Sequence, residues 1–427
     1  MTRMQRRRGL LAQVCRKAAS ATFSFALALL PPVNAISAQA QTLKVLHTFA
    51  GPQWADGAYP EARLLRDAVG NFYGTTDRGG AGGGTVFRLN KSGKEKAVYN
   101  VADARFLESG LVRDEKGNLY GTTFSGGTQG CEMGFGCGTV FKMTKTGNET
   151  ILYRFTGGAD GANPLYASLV RDAQANLYGT TSAGGAKGFG TVFKLSRNGK
   201  ETVLHHFKGT DGTAPSGELV RDVAGNLYGA AFFGGIAGCP TGFGCGTIFK
   251  LNKAGKETVL YRFTGGADGA NPISGLIEDT RGNLYGTTRY GGDLACHSPS
   301  GCGVVFKLAM SGKMTTLHSF TGTADGADPE AGVTLDTQGN IYGTTYYGGS
   351  GTCNDGINVG CGTVFKVDQK GNETVLYSFT QASGSGNHPQ AGLILDTAGN
   401  LYGTTAGGGD FNCDPQFGCG IVFQLTR

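Results

Sequence analysis

Beyond its first forty residues the chain has no apolar run approaching the ~18 to 20 residues that a membrane-spanning helix needs. Histidine is scarce, at six residues, and no grouping of them with Cys, Asp or Glu has the spacing of a metal site. Charge of one sign is also missing. Of 38 Lys and Arg, six (Arg3, Arg6, Arg7, Arg8, Arg16 and Lys17) lie in the first forty residues, which leaves 38 − 6 = 32 against 32 Asp and Glu. The remainder is formally neutral, so nucleic acid and anionic membrane surfaces are not expected partners. Gly-Gly pairs such as Gly126-Gly127 and Gly291-Gly292 lack a following helix and a P-loop Lys, so they are tight loops rather than phosphate cradles. No catalytic constellation stands out.

The first forty residues have the plan of a secretory signal. A basic start precedes an apolar stretch from Ala18 to Leu30, and Ala38-Gln39-Ala40 is a small-x-small cleavage site. The expected domains are a cleaved signal at 1–40 and one folded domain at 41–427, secreted or periplasmic and monomeric. Cysteine usage fits that compartment. Ten Cys fall into five local pairs: Cys131 with Cys137, Cys239 with Cys245, Cys296 with Cys302, Cys353 with Cys361, and Cys413 with Cys419. The spacing reads as disulfides, since C-x5-C without His or a second CxxC suits zinc poorly.

What dominates the chain is repetition. N-[LFI]-Y-G-[TA]-[TA] occurs seven times, at Asn71, Asn118, Asn176, Asn226, Asn283, Asn340 and Asn400. A Gly-rich loop and a G-[TIV]-[VI]-F-[KRQ]-[LMV] segment follow each copy. Every unit reads as four short strands. D-x-x-G-N turns join the first to the second, and K-x-G-[KN]-E turns join the third to the fourth. The other two connectors are long: one carries the Gly pair and the cysteines, the other carries variants of D-G-A-x-P. Both emerge at one end of the sheet, giving one trimmed and one elaborated face.

Units of 47 to 60 residues with four strands each predict an all-β, seven-bladed β-propeller of four-stranded antiparallel blades. The segment Thr42 to Phe49 matches a fourth strand and Gly420 to Leu425 a third. The expected closure therefore joins three C-terminal strands to one N-terminal strand. The units resemble the Gloeo/Verruco tandem repeat of exported bacterial proteins, over nearly all of 42–427. Gly117 to Thr123 (GNLYGTT) and Gly138 to Lys142 (GTVFK) carry the resemblance. It implies a propeller and export, and no established activity.

The anchor tyrosines recur in every unit and so belong to the frame, between blades. His47, His205 and His318 fill a slot held elsewhere by Tyr153, Tyr261 and Tyr377, and are framework too; His297 and His388 are isolated in loops. The informative positions are those that vary. Just after the anchor, blades four to six carry Phe232, Phe233, Arg289, Tyr290, Tyr346 and Tyr347, a sector suited to stacking on sugar rings or gripping a partner chain. Ahead of the first strands, Glu330, Gln390, Glu61 and Glu108 fall consecutively around the axis as an acidic arc. Such an arc suits Ca²⁺ or an acid/base pair, and solvated carboxylates at a channel mouth are the plainer reading. The leading expectation is a non-enzymatic binding module without a cofactor, engaging polysaccharide or a surface protein. The alternative is a metal-assisted hydrolase or lyase.

Overall fold

In the second blade, strands Val112–Arg113, Leu119–Thr123, Thr139–Met143 and Glu149–Arg154 pair antiparallel in chain order. The same four-stranded sheet is built seven times around one axis in the computed structural model. The structure describes residues 41–49, 56–80, 83–101, 106–128, 130–131, 134–239, 242–353 and 360–426; the signal expected at 1–40 lies outside them. Among the described residues there is no α-helix. The seventh blade takes its outer strand, Thr42–Thr48, from the other end of the sequence: Thr42 pairs with Thr426 and Thr48 with Ile421.

The repeated motif follows from three packing demands. In the D-x-x-G-N turn, Asp114 Oδ1 accepts the Asn118 backbone N–H at 2.8 Å, while Oδ2 accepts the Asn118 side-chain amide at 2.8 Å and the Tyr120 hydroxyl at 3.0 Å. The anchor Asn and Tyr are thus the two clamps on the turn carboxylate, which is held below the ordinary Asp value despite partial burial because these bonds favour its charged form. Second, the Gly of each anchor lies opposite the Phe of the third strand, as Gly121 does opposite Phe141. A Cβ on Gly121 would sit 2.7 Å from the Phe141 ring, so only Gly admits that ring. Third, six of the seven such Phe residues meet the Phe that follows the fourth strand of the preceding blade, while Phe141 meets Val101 in that place. Ring centroids lie 5.1 Å apart for Phe155 and Phe193, and 5.4 Å for Phe263 and Phe306. Fully burying a Phe side chain is worth roughly 1.5 to 3 kcal/mol, so these seams hold the ring together. Phe49 and Phe87 make the same contact at 5.1 Å, packing the seventh blade on the first.

The turn at Asp172 lacks the usual Gly, and Ala175 takes its place at a φ of 65°. All five cysteine pairs are disulfides, each closing a loop between the second and third strands of one blade. Anchor Tyr73 lies in the seam with Leu111 and Phe141, and Tyr342 in the seam with Leu401 and Phe423.

Candidate functional site: the axial mouth of the long-loop face

The x of each D-G-A-x-P loop is an L-residue held in the left-handed region. Tyr59, Phe106, Asn163, Ala214, Asn271, Asp328 and His388 have φ between 49° and 62°, one per blade. Each such residue costs about 1 to 2 kcal/mol unless its surroundings impose it. Here they do so from both sides. The backbone N–H of Asp328 donates to the carbonyl of Cys302 in the preceding blade at 3.0 Å, and its own carbonyl accepts from the N–H of Tyr346 at 3.1 Å. The same pair of bonds joins Cys137, Asn163 and Ser182, and likewise Cys361, His388 and Ala406. The disulfide loop of one blade therefore positions the residue that follows the anchor in the next.

Strand alternation then separates the two residues after each anchor. The first of each pair turns toward the axis. The Arg289 guanidinium is 3.0 Å from Glu330 and 3.8 Å from Asp328, and the Tyr346 ring stacks on His388 at 4.7 Å. The second packs outward against the neighbouring disulfide: Tyr290 against Cys239 and Cys245, Tyr347 against Cys296 and Cys302. Phe232 and Phe233 lie against each other at 4.4 Å, and Phe233 against Phe243 at 5.5 Å. The six aromatic and Arg positions are half-buried and split between two directions, so they do not make a single exposed strip. His388, an isolated loop residue by sequence, is buried under Tyr346.

The acidic arc is gathered. Glu61, Glu108, Glu330 and Gln390 line one axial cavity of about 440 Å³ together with Tyr166. Two contacts span the axis. The Gln390 amide donates to the Tyr166 hydroxyl at 3.1 Å, and Arg63 of the first blade lies 3.6 Å from Glu218 of the fourth.

Burial disfavours the charged forms here, and carboxylates crowd one another. Burial holds Glu61 well above the ordinary Glu value, with the charges of Asp77, Glu108 and Glu330 adding to it. Glu108 is pushed up to about 8 by burial and then by Asp77, and one of its carboxyl oxygens is buried with no hydrogen-bond partner among the described residues. Burial raises Asp77 to about 6, and Glu330 to about 7 even with Arg289 opposing it. The mouth thus sets protonatable carboxyls beside the guanidinium groups of Arg289, Arg78 and Arg63, the phenols of Tyr166 and Tyr346, and the Gln390 amide. It can donate to and accept from hydroxyl groups. Glu330 is already engaged by Arg289, and Ca²⁺ takes six to eight oxygen ligands, so the arc fits a closed Ca²⁺ shell poorly.

A further set of residues was not read from the sequence. Phe135, Phe189, Phe243 and Phe417 stand 40 to 74% exposed on the loops before the third strands, around this mouth's face. The signal lay in F-G-C-G, which occurs at Phe135, Phe243 and Phe417, with Phe189-Gly190 in the shorter loop of the third blade.

The sequence profile described as the Gloeobacter/Verrucomicrobia repeat matches residues 32–165, 109–355 and 297–427. No curated protein matches the chain. Among solved structures, the extracellular domain of a one-component system protein from B. thetaiotaomicron is similar with a TM-score of 0.52 at 11% identity, over 91% of this chain and 40% of that one. This chain thus spans well under half the length of that structure. A luciferin-regenerating enzyme is similar with a TM-score of 0.42 at 15% identity, over 75% of this chain and 91% of that one. A gluconolactonase from Xanthomonas campestris has a TM-score of 0.36 at 13% identity, over 67% and 78%. At 11% identity the likeness to the extracellular domain is one of fold alone.

Proposed function

The chain belongs to the Gloeobacter/Verrucomicrobia repeat family, and from that premise we propose that it is an exported, non-enzymatic binding module that takes polysaccharide at the axial mouth of its long-loop face. The observation that carries the proposal is the concentration of varied side chains at that mouth, above a frame that repeats in every blade. Glu61, Glu108, Tyr166, Arg289, Glu330, Tyr346 and Gln390 come from positions where sibling blades hold different residues. Hydroxyl-rich rings suit both parts of the face: carboxyls, phenol and amide for their hydroxyls, exposed Phe rings for their apolar faces. Five disulfides support an oxidising compartment, and no helix of the described residues is long and apolar enough to cross a membrane.

Electrophoresis through gels carrying soluble polysaccharides tests the reading. Wild type is expected to be retarded by at least one neutral or acidic polysaccharide, and a Phe243→Ala/Phe417→Ala variant to run ahead of it. Equal mobility of the two in every gel would remove the Phe residues from the site.

A further inference from the structure

On the outer rim, away from the mouth, the slot shared by His and Tyr has a second property. His205, near the end of the fourth strand Glu201–His206, has Nε2 3.1 Å from Oδ2 of Asp211 in the following loop. Glu257, which opens the fourth strand of the next blade, brings a carboxylate oxygen to the same point, and all three donor atoms lie within 4.8 Å of one another. The seam between the seventh and first blades repeats the arrangement with His47, Asp56 and Glu95, where His47 Nε2 is 3.5 Å from Asp56 Oδ2.

We propose that these are two divalent-metal sites of zinc type, each made of one imidazole and two carboxylates from two adjacent blades, with a fourth position left for water.

Four features of the geometry support this. Two ligands about 2.0 to 2.1 Å from one tetrahedral ion stand roughly 3.3 Å apart, which matches the His–Asp separations. The other oxygen of Asp211 accepts the backbone N–H of Lys208 at 2.7 Å, so the carboxylate is oriented from behind with Oδ2 directed at the imidazole. The His205 ring is fixed edge-on against Phe207 at 4.9 Å. Glu257 Oε1 is buried and accepts no hydrogen bond among the described residues, an arrangement that costs free energy unless a cation or proton occupies the space beside it.

The sibling seams sort into two kinds. The His318 seam holds the same residue types, with His318 Nε2 3.3 Å from Asp325 Oδ2, but Glu373 does not close on them to complete a three-ligand group as Glu257 and Glu95 do. Where Tyr replaces His, the phenol simply donates to the loop Asp, as Tyr153 does to Asp160 at 3.0 Å and Tyr261 to Asp268 at 2.9 Å. A neutral phenol is no zinc ligand of the His, Cys or carboxylate kind. At the Tyr261 seam the Glu position is Met314 as well, whereas the Tyr153 seam keeps Glu201 with its Oε1 likewise buried and unpartnered among the described residues, so the imidazole is what distinguishes the proposed sites from that seam. Lys208 and Arg262 stand near Glu257 and oppose a cation there, although the Arg262 guanidinium is turned to the Thr210 carbonyl at 3.3 Å.

The test is calorimetric titration of the untagged full chain with ZnCl₂, supported by the visible absorption of Co²⁺ as a report of tetrahedral nitrogen and oxygen ligands. Wild type should bind two equivalents in the micromolar range. His205→Tyr, which installs the residue the frame accepts in sibling blades, should keep its metal-free melting temperature and lose one equivalent. His47→Tyr/His205→Tyr should lose both, with the Co²⁺ band. Absence of zinc binding by wild type, or unchanged stoichiometry in the double variant with its metal-free melt intact, would overturn the proposal. Should the double variant fail to fold, His205→Gln and His47→Gln give the same reading.

Discussion

Glu108 shows at a single residue what the mouth costs the fold. Burial and the nearby Asp77 charge lift its carboxyl from an ordinary 4.5 to about 8. Below about pH 4.5 the group is protonated in both folded and unfolded chains, and its contribution to stability is intact. Between there and about 8 the unfolded chain ionises while the folded one resists, so stability falls as pH rises. Glu108→Gln removes that loss. Its stability relative to wild type should rise across pH 5 to 8, by on the order of a few kcal/mol, as thermal or denaturant melts at several pH values will read. Parallel pH profiles for the two proteins would mean that the carboxyl is solvated after all. The position of Glu108 was legible in the sequence, because register relative to the first strand is fixed by the repeat. Its burial was not, since that depends on Tyr166 and Gln390 meeting from opposite sides of the axis.

At the scale of elements, the disulfide loops are parts of the site and not only staples. Cys302 accepts the Asp328 N–H, and Asp328 accepts the Tyr346 N–H, so a loop in one blade fixes a mouth residue in the next. Replacing Cys296 and Cys302 by Ser should lower stability by about 2 kcal/mol, the loop-closure value for so short a ring. It should also speed hydrogen exchange at the Asp328 and Tyr346 amides while leaving Phe306, in the middle of its sheet, unchanged. Equal acceleration at all three amides would deny the loop its separate role. These relations explain where sequence reasoning stopped. The D-x-x-G-N turns and the place of the anchor Tyr between blades were legible because each recurs around the ring, whereas the Tyr hydroxyl on the turn Asp and the Gly opposite Phe emerge only from the register between strands. Left-handed backbone at seven residues was not, since in six of them the next residue is Pro, and residues before Pro ordinarily favour extended conformations. The exposed Phe residues were hidden for a related reason: they sit inside Gly-rich strings that read as turn chemistry alone.

Across the whole molecule, seven near-identical seams carry stability and leave the long-loop end free to differ. The strand Thr42–Thr48 belongs to that frame, covering the edge of Ile421–Thr426 and adding Leu43, Val45 and Leu46 to the last two seams. Its deletion should abolish a cooperative melt or drive aggregation through the bared edge; an unchanged melting temperature would show that the ring does not depend on it. If the frame holds the ring and the mouth binds, the two can be altered separately. The decisive experiment is binding to a panel of soluble polysaccharides, measured for wild type and two triple variants. One variant carries Phe124→Ser, Arg289→Ser and Tyr346→Ser at the first position after the anchor in blades two, five and six, where the Phe124 N–H donates to the Phe106 carbonyl as that of Tyr346 does to Asp328; Ser is what the third blade holds there, as Ser182. The other carries Lys116→Ser, Arg281→Ser and Gln338→Ser, on the D-x-x-G-N turns of the trimmed face. Wild type should bind, the mouth variant should lose about ten-fold or more in affinity, and the trimmed-face variant should keep wild-type affinity. Wild-type affinity retained by the mouth variant, or binding by none of the three, would contradict the assignment of binding to the mouth.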